Sequence, residues 1–319
     1  KEDAGFIFMT NFQDHDTARF DQTDLQLKLK LKKQTLIIPS SKTFTLKKDQ
    51  SVILPFNLSM EGALLKYSTT QLLAKVEEKN AVHYFFFAPE GLRTEYSFDK
   101  STLSSGKEFY TPKPGLKSTF SITVKNGKTL KITTLTRQQA LNTTKVNNHI
   151  LITEATVLPE KEQCTLLSLG KTQISYALYT ANKGWKEETI EVQPVDVKAD
   201  WKKVGTRRMT VKIDQPDVPQ VNDYFLRVNY VADVAMAFIG GYLVLDHYYY
   251  GIPWTIGLRR FKNELKNEYL SFYFRPLRKD APFIGDLPVE AIPDFSQKDA
   301  DCLVRSVDVI PEYKAIVNI

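Results

Sequence analysis

The stretch STFSITVKNGKTLKITTL (118–135) decides the fold class. Apolar residues recur at every second position: Phe120, Ile122 and Val124 in its first half, Leu130 and Ile132 in its second. A helix would repeat them every third or fourth residue, so period two marks strands with one buried face. Asn126-Gly127 lies between the halves, and this dipeptide readily takes the positive φ angles of a two-residue hairpin turn. The reading is a β-hairpin.

Working outward, the same alternation recurs. In LKLKLKK (27–33) the leucines, continuing from Leu25, point one way while the lysines point the other. KTFTLK (42–47), MTVKI (209–213) and YLSFYF (269–274) repeat it. Helical signal is scarce. TRQQALNTTKV (136–146) predicts about two turns, with Thr136 as cap and Gln139 three residues later. RRFKNELKNEY (259–269) is either a short helix or a loop. So little helix between strands excludes repeated βα units, and with them a Rossmann fold or a βα barrel. The predicted class is all-β, built of antiparallel β-sandwich domains. SSGKEFYTPKPG (104–115) and QPVDVKADWKKVG (193–205) read as boundaries, dividing the chain into 1–105, 106–195 and 196–319. The middle piece is a small β domain or a continuation of the first.

Composition narrows the function. The chain has 319 residues and a net charge of +6, but its lysines are spread along strand faces rather than clustered, so no nucleic-acid partner is expected. No apolar run approaches the ~20 residues of a membrane span, so no membrane partner is expected. Cys164 and Cys302 form no metal-ligand spacing, and no cofactor or metal is predicted. Gly170-Lys171-Thr172 ends like a phosphate-binding loop, yet the earlier glycine would fall at Thr165. His15, His83, His149 and His247 are solitary. Glycoside hydrolysis needs two carboxylates roughly 5–10 Å apart. Glu95, Asp99 and Asp246 stand in distinctive segments, but each reads more simply as a turn or strand-end residue that binds backbone amides. The catalytic assignment is therefore none.

Three segments carry a family resemblance. LPFNLSMEGALLKYSTTQLLAKV and YFFFAPEGLRTEYSFD (54–76 and 84–99), preceded by GFIFMTNFQ (5–13), resemble the β-domain that follows the catalytic barrel in family 35 β-galactosidases. KITTLTRQQALNTTKV (131–146) is similar to a stretch further along that family. VNYVADVAMAFIGGYLVLDHYYYGIPWTIGLRRF (228–261) resembles its C-terminal jelly roll through Tyr230, Asp233, Gly241, Asp246, Tyr249, Gly251, Pro253, Trp254, Gly257 and Leu258.

The resemblance implies an accessory region, ending in a galactose-binding-like jelly roll, of a retaining exo-β-galactosidase exported to the periplasm or cell surface. In that family both catalytic Glu residues stand on an N-terminal barrel. No counterpart of that barrel is expected within these 319 residues, so the chain alone is expected to be inert and its partner to be that barrel. Apolar surface covered by the barrel is expected at Phe85–Phe87 or at Phe6–Met9. Gly240-Gly241 permits a tight turn ahead of an aromatic cluster. A galactoside could stack on Tyr248, Tyr249, Tyr250 or Trp254 and hydrogen-bond Asp246. The simpler reading makes these aromatics core, with Gly251 and Pro253 shaping their loop. An autonomous carbohydrate-binding module is the competing function.

Overall fold

A computed structural model describes residues 3–13, 20–32, 34–181 and 183–319, so His15 lies outside the described residues. The chain forms two compact units, one of residues 1–154 with 175–188 and 319, the other of 155–174 with 189–318. The break expected at 105/106 falls inside the first unit. There the strand Leu103–Ser105 pairs with Thr119–Val124, which makes the Gly/Pro-rich stretch a loop within one domain.

The first unit has three layers. A front sheet holds Gly5–Thr10, Ser51–Met60, Ala63–Ser68, Tyr96–Phe98 and Phe109–Tyr110. A middle sheet holds Leu103–Ser105, Thr119–Val124, Thr129–Leu135, Ala81–Phe87 and Gln71–Glu77. A back sheet holds Thr143–Val146, His149–Thr153, Gln173–Thr180 and Gly184–Glu191. Met60, Leu65, Tyr96 and Phe98 of the front sheet meet Tyr84, Phe86, Ile122 and Ile132 of the middle one. On the other side of the middle sheet, Val76, Phe85 and Leu135 pack on Ile150, Ile152 and Tyr179. Being covered twice explains the unbroken aromatic run. Successive residues of a strand point to opposite faces, so a strand buried on both faces must be apolar throughout. Phe85 and Phe86 are both fully buried, and the expectation that this run is uncovered surface is overturned.

Among the described residues pairing is antiparallel with one exception: Thr129–Leu135 runs parallel to Ala81–Phe87, Thr129 opposite Ala81 and Leu135 opposite Phe87. The 118–135 hairpin forms, but not through a two-residue turn. Gly127 N–H donates to Val124 O and Val124 N–H to Lys128 O, both at 2.9 Å, and of the Asn-Gly pair only Gly127 (φ +86°) enters the left-handed region. That is a three-residue turn closed by a glycine bulge. Asn126 stays outside the left-handed region, and its side chain donates from Nδ2 to Glu61 O (2.8 Å) and accepts at Oδ1 from Lys128 N–H (3.0 Å). Two-residue turns with both φ positive occur at Glu61-Gly62 and, as expected, at Gly240-Gly241. The helix shrinks to Arg137–Leu141, with the Thr136–Gln139 capping box in place; the residues after it become the strand Thr143–Val146. The 259–269 stretch is two 3-10 turns.

The second unit is a two-sheet sandwich. One sheet orders Thr156–Pro159, Gln163–Leu169, Leu303–Asn318, Val221–Val231 and Trp254–Gly257; the other orders Ala199–Gly205, Arg208–Ile213, Leu270–Arg275, Val234–Ile239 and Tyr242–Tyr248. Leu226, Val228, Tyr230 and Trp254 of the first meet Met209, Ala235, Phe272 and Phe274 of the second. Arg208–Ile213, Val221–Val231 and Val234–Ile239 follow one another in sequence yet alternate between the sheets. The molecule is therefore all-β, as the alternation predicted.

Candidate functional site

The edge strand Tyr242–Tyr248 and the loop to Trp254 carry all five residues expected to meet sugar, and the structure divides them. Register fixes the faces. Ala235, in the core, lies opposite His247, and Met236 lies opposite Asp246, so His247 points inward and Asp246 outward. Trp254 is only 6% exposed and Tyr249 only 4%, too little for either ring to stack on a pyranose. Trp254 stacks on His247 instead, with centroids 5.3 Å apart and planes 9° from parallel. Tyr249 donates its hydroxyl to Ala291 O at 2.9 Å. Gly251 (φ +93°) lets this loop close: a Cβ there would stand 2.7 Å from that of Ala291. Tyr250 is half-exposed beside the His247 ring. His247 Nδ1 hydrogen-bonds the Tyr230 hydroxyl at 2.7 Å, and burial lowers its pKa against the pull of Asp246.

What remains accessible is the outer face of that sheet. Val234 lies opposite both Tyr248 and Arg275, and Met236 opposite both Asp246 and Tyr273, so Asp246, Tyr248, Tyr273 and Arg275 share one face. Neighbouring strands stand about 4.8 Å apart, which puts these side chains within the breadth of a sugar unit or two. Tyr248 is well exposed. Asp233, just before Val234, is held by the Arg275 guanidinium through Nε (2.6 Å) and Nη2.

The carboxylates of Glu95 and Asp99 are engaged by donors. Glu95 accepts from Ser40 N (2.8 Å), Ser40 Oγ (3.0 Å), Ser41 Oγ (3.2 Å) and the Tyr67 hydroxyl (2.5 Å). Burial pushes its carboxyl up, but these bonds outweigh it and hold the pKa below the ordinary value. Asp99 caps a 3-10 turn through Ser101 N–H (2.9 Å). Both fill the backbone-binding role read from sequence.

Sequence reading missed a third carboxylate, Glu78. It takes the Lys131 ammonium at 2.6 Å and the Tyr179 hydroxyl, beside the buried ring of His83. His83 Nδ1 lies 2.6 Å from the Tyr179 hydroxyl and Nε2 lies 2.7 Å from Thr133 Oγ1, with the ring stacked on Phe85. Burial depresses His83 to a pKa of about 4, partly offset by Glu78. Nothing local announces this network, because His83 and Tyr179 are 96 residues apart. Among the described residues no cluster of His, Cys, Asp and Glu fits a metal ion.

Residues 1–157 match the family model described as "Beta-galactosidase, domain 2". No curated protein matches the chain.

Proposed function

Residues 1–157 belong to the β-galactosidase domain 2 family, and from that premise we propose that the chain is a non-catalytic β-region of a family 35 β-galactosidase that braces the catalytic barrel. The match, which covers the front and middle sheets and the first two strands of the back one, carries this reading. A second observation supports it. Phe6 and Phe8 of the edge strand Gly5–Thr10 are 44% and 74% exposed, and Ile53, opposite Phe8, is 40% exposed. Ile7 and Met9 between them turn inward to pack with Val52 and Leu54. Edge strands are usually shielded by charge or cover. An apolar ridge on this one suits a surface that a neighbouring domain covers. The whole enzyme would remove terminal β-galactosyl residues in the periplasm or at the cell surface, with both catalytic Glu residues supplied by the barrel.

A second reading makes the jelly-roll part of the chain a galactoside-binding module. The common face of Asp246, Tyr248, Tyr273 and Arg275 favours it, as aromatic rings flanked by charged hydrogen-bonding groups suit saccharides. Titrating the chain with a purified family 35 barrel and, separately, with lactose separates the two. Barrel binding that Phe8→Ser abolishes supports the brace. Lactose binding that Tyr248→Ala abolishes supports the module, and no binding of the barrel sinks the brace.

A further inference from the structure

A polar cavity stands apart from the aromatic strand. It measures about 180 Å³ and opens where Val221–Val231 begins and Trp254–Gly257 hands over to the turn Arg259–Phe261. Its polar walls are braced by a chain of hydrogen bonds. Arg259 N–H donates to Asp223 Oδ1 at 2.7 Å, and Arg259 Nη1 donates to Asn222 Oδ1 at 2.7 Å. Asn222 Nδ2 in turn donates to Glu312 Oε2 at 2.5 Å. Asp223 Oδ2 lies over Gly257, 3.0 Å from the place a Cβ would take, so a side chain there would crowd the carboxylate. Among the described residues Oδ2 accepts no hydrogen bond.

The lining decides the ligand class. Arg259, Lys262 and Lys314 supply donors, Asp217 and Asp223 supply acceptors, and Pro216, Val218 and Pro219 give an apolar wall. Lys262 is partly satisfied by Asp217 at 3.2 Å. Signs so nearly balanced disfavour a phosphate or a carboxylate. They suit a neutral molecule whose hydroxyls both donate and accept. The volume is enough for one sugar ring.

We propose that this cavity binds a single pyranose. Asp223 Oδ2 accepts from one hydroxyl, the Arg259 and Lys262 cations donate to its neighbours, and the C–H face of the ring rests on the proline wall. The ring is either a free sugar or the terminal residue of a glycan. This site lies outside residues 1–157 and does not depend on the brace.

The test is calorimetric titration of the whole chain with galactose, glucose, methyl β-galactoside and lactose. Saturable one-to-one binding is expected, weakened at least ~10-fold by Asp223→Asn and more mildly by Lys262→Ala, with the melting temperature unchanged. The isosteric Asn keeps the Oδ1 acceptor for Arg259 N–H, and Lys262 is at the rim, so both variants should fold. Binding of the methyl glycoside and lactose as well as the free sugars assigns the site to glycan termini; binding of free sugars alone assigns it to monosaccharides. No saturation up to about 50 mM of any probe overturns the proposal. So does binding that survives Asp223→Asn and disappears with Tyr248→Ala.

Discussion

Acidification should weaken the first unit through one residue, His83. Its ring is 2% exposed, and both nitrogens are occupied by the Tyr179 and Thr133 hydroxyls. In the fold it titrates at about 4, whereas an unfolded His titrates near 6.5. The depressed value means that the unfolded chain takes up the proton first. The contribution of the neutral ring is complete above pH ~6.5 and is lost as pH falls towards 4, a change of roughly 3 kcal/mol at most. Glu78 also stands below its ordinary value: burial pushes it up, but Lys131 and Tyr179 prevail. It contributes to acid lability in wild type and variant alike. The assay is therefore a difference. Urea midpoints of wild type and His83→Gln are compared at pH 7 and pH 4.5, and the His83 ring is followed by NMR through the same range. Wild type should lose about 2 kcal/mol more than the variant over this interval. A ring that titrates near 6.5, or parallel pH profiles, would refute the reasoning.

Other expectations follow from packing. Trp254→Ala removes a core ring and should cost about 3–5 kcal/mol in chemical denaturation, while Tyr248→Ala on the exposed face should stay within about 0.5 kcal/mol. Gly251→Ala combines a left-handed backbone with a 2.7 Å approach to Ala291, and a loss of about 2–4 kcal/mol should appear as a lower thermal midpoint. Glu95→Gln replaces two acceptor oxygens by one and forces an amide donor against Ser and Tyr hydroxyls; a loss of about 1–3 kcal/mol is expected by urea titration. Phe8→Ser should leave stability within about 0.5 kcal/mol while reducing association in sedimentation, since Phe8 projects into solvent.

Where period-two alternation is clean, one face turns inward and the sequence announces it, as in the partly buried leucines of Leu27–Lys30 and in Thr119–Val124. Alternation disappears where a strand is covered twice. Phe85 and Phe86 serve two cores at once, and a run of aromatics looks the same whether it is doubly buried or bare. Turn chemistry was legible in kind but not in detail. Asn126-Gly127 marked the hairpin, yet the side-chain bonds of Asn126, one of them to the distant Glu61, accompany a bulged turn. The aromatic cluster was visible, but the side each ring takes depends on register with Val234–Ile239, which no local pattern reveals. The Asp223–Arg259–Asn222–Glu312 chain gave no signal at all, because three separate strands and turns assemble it.

That the chain, whose residues 1–157 match the β-galactosidase domain 2 model, carries no catalytic pair of its own is tested by a chromogenic β-galactoside assay on the purified protein. No turnover above the uncatalysed rate is expected at any protein concentration. Hydrolysis that scales with protein and survives further purification would contradict it, since two carboxylates among these residues would then have to act as acid and nucleophile.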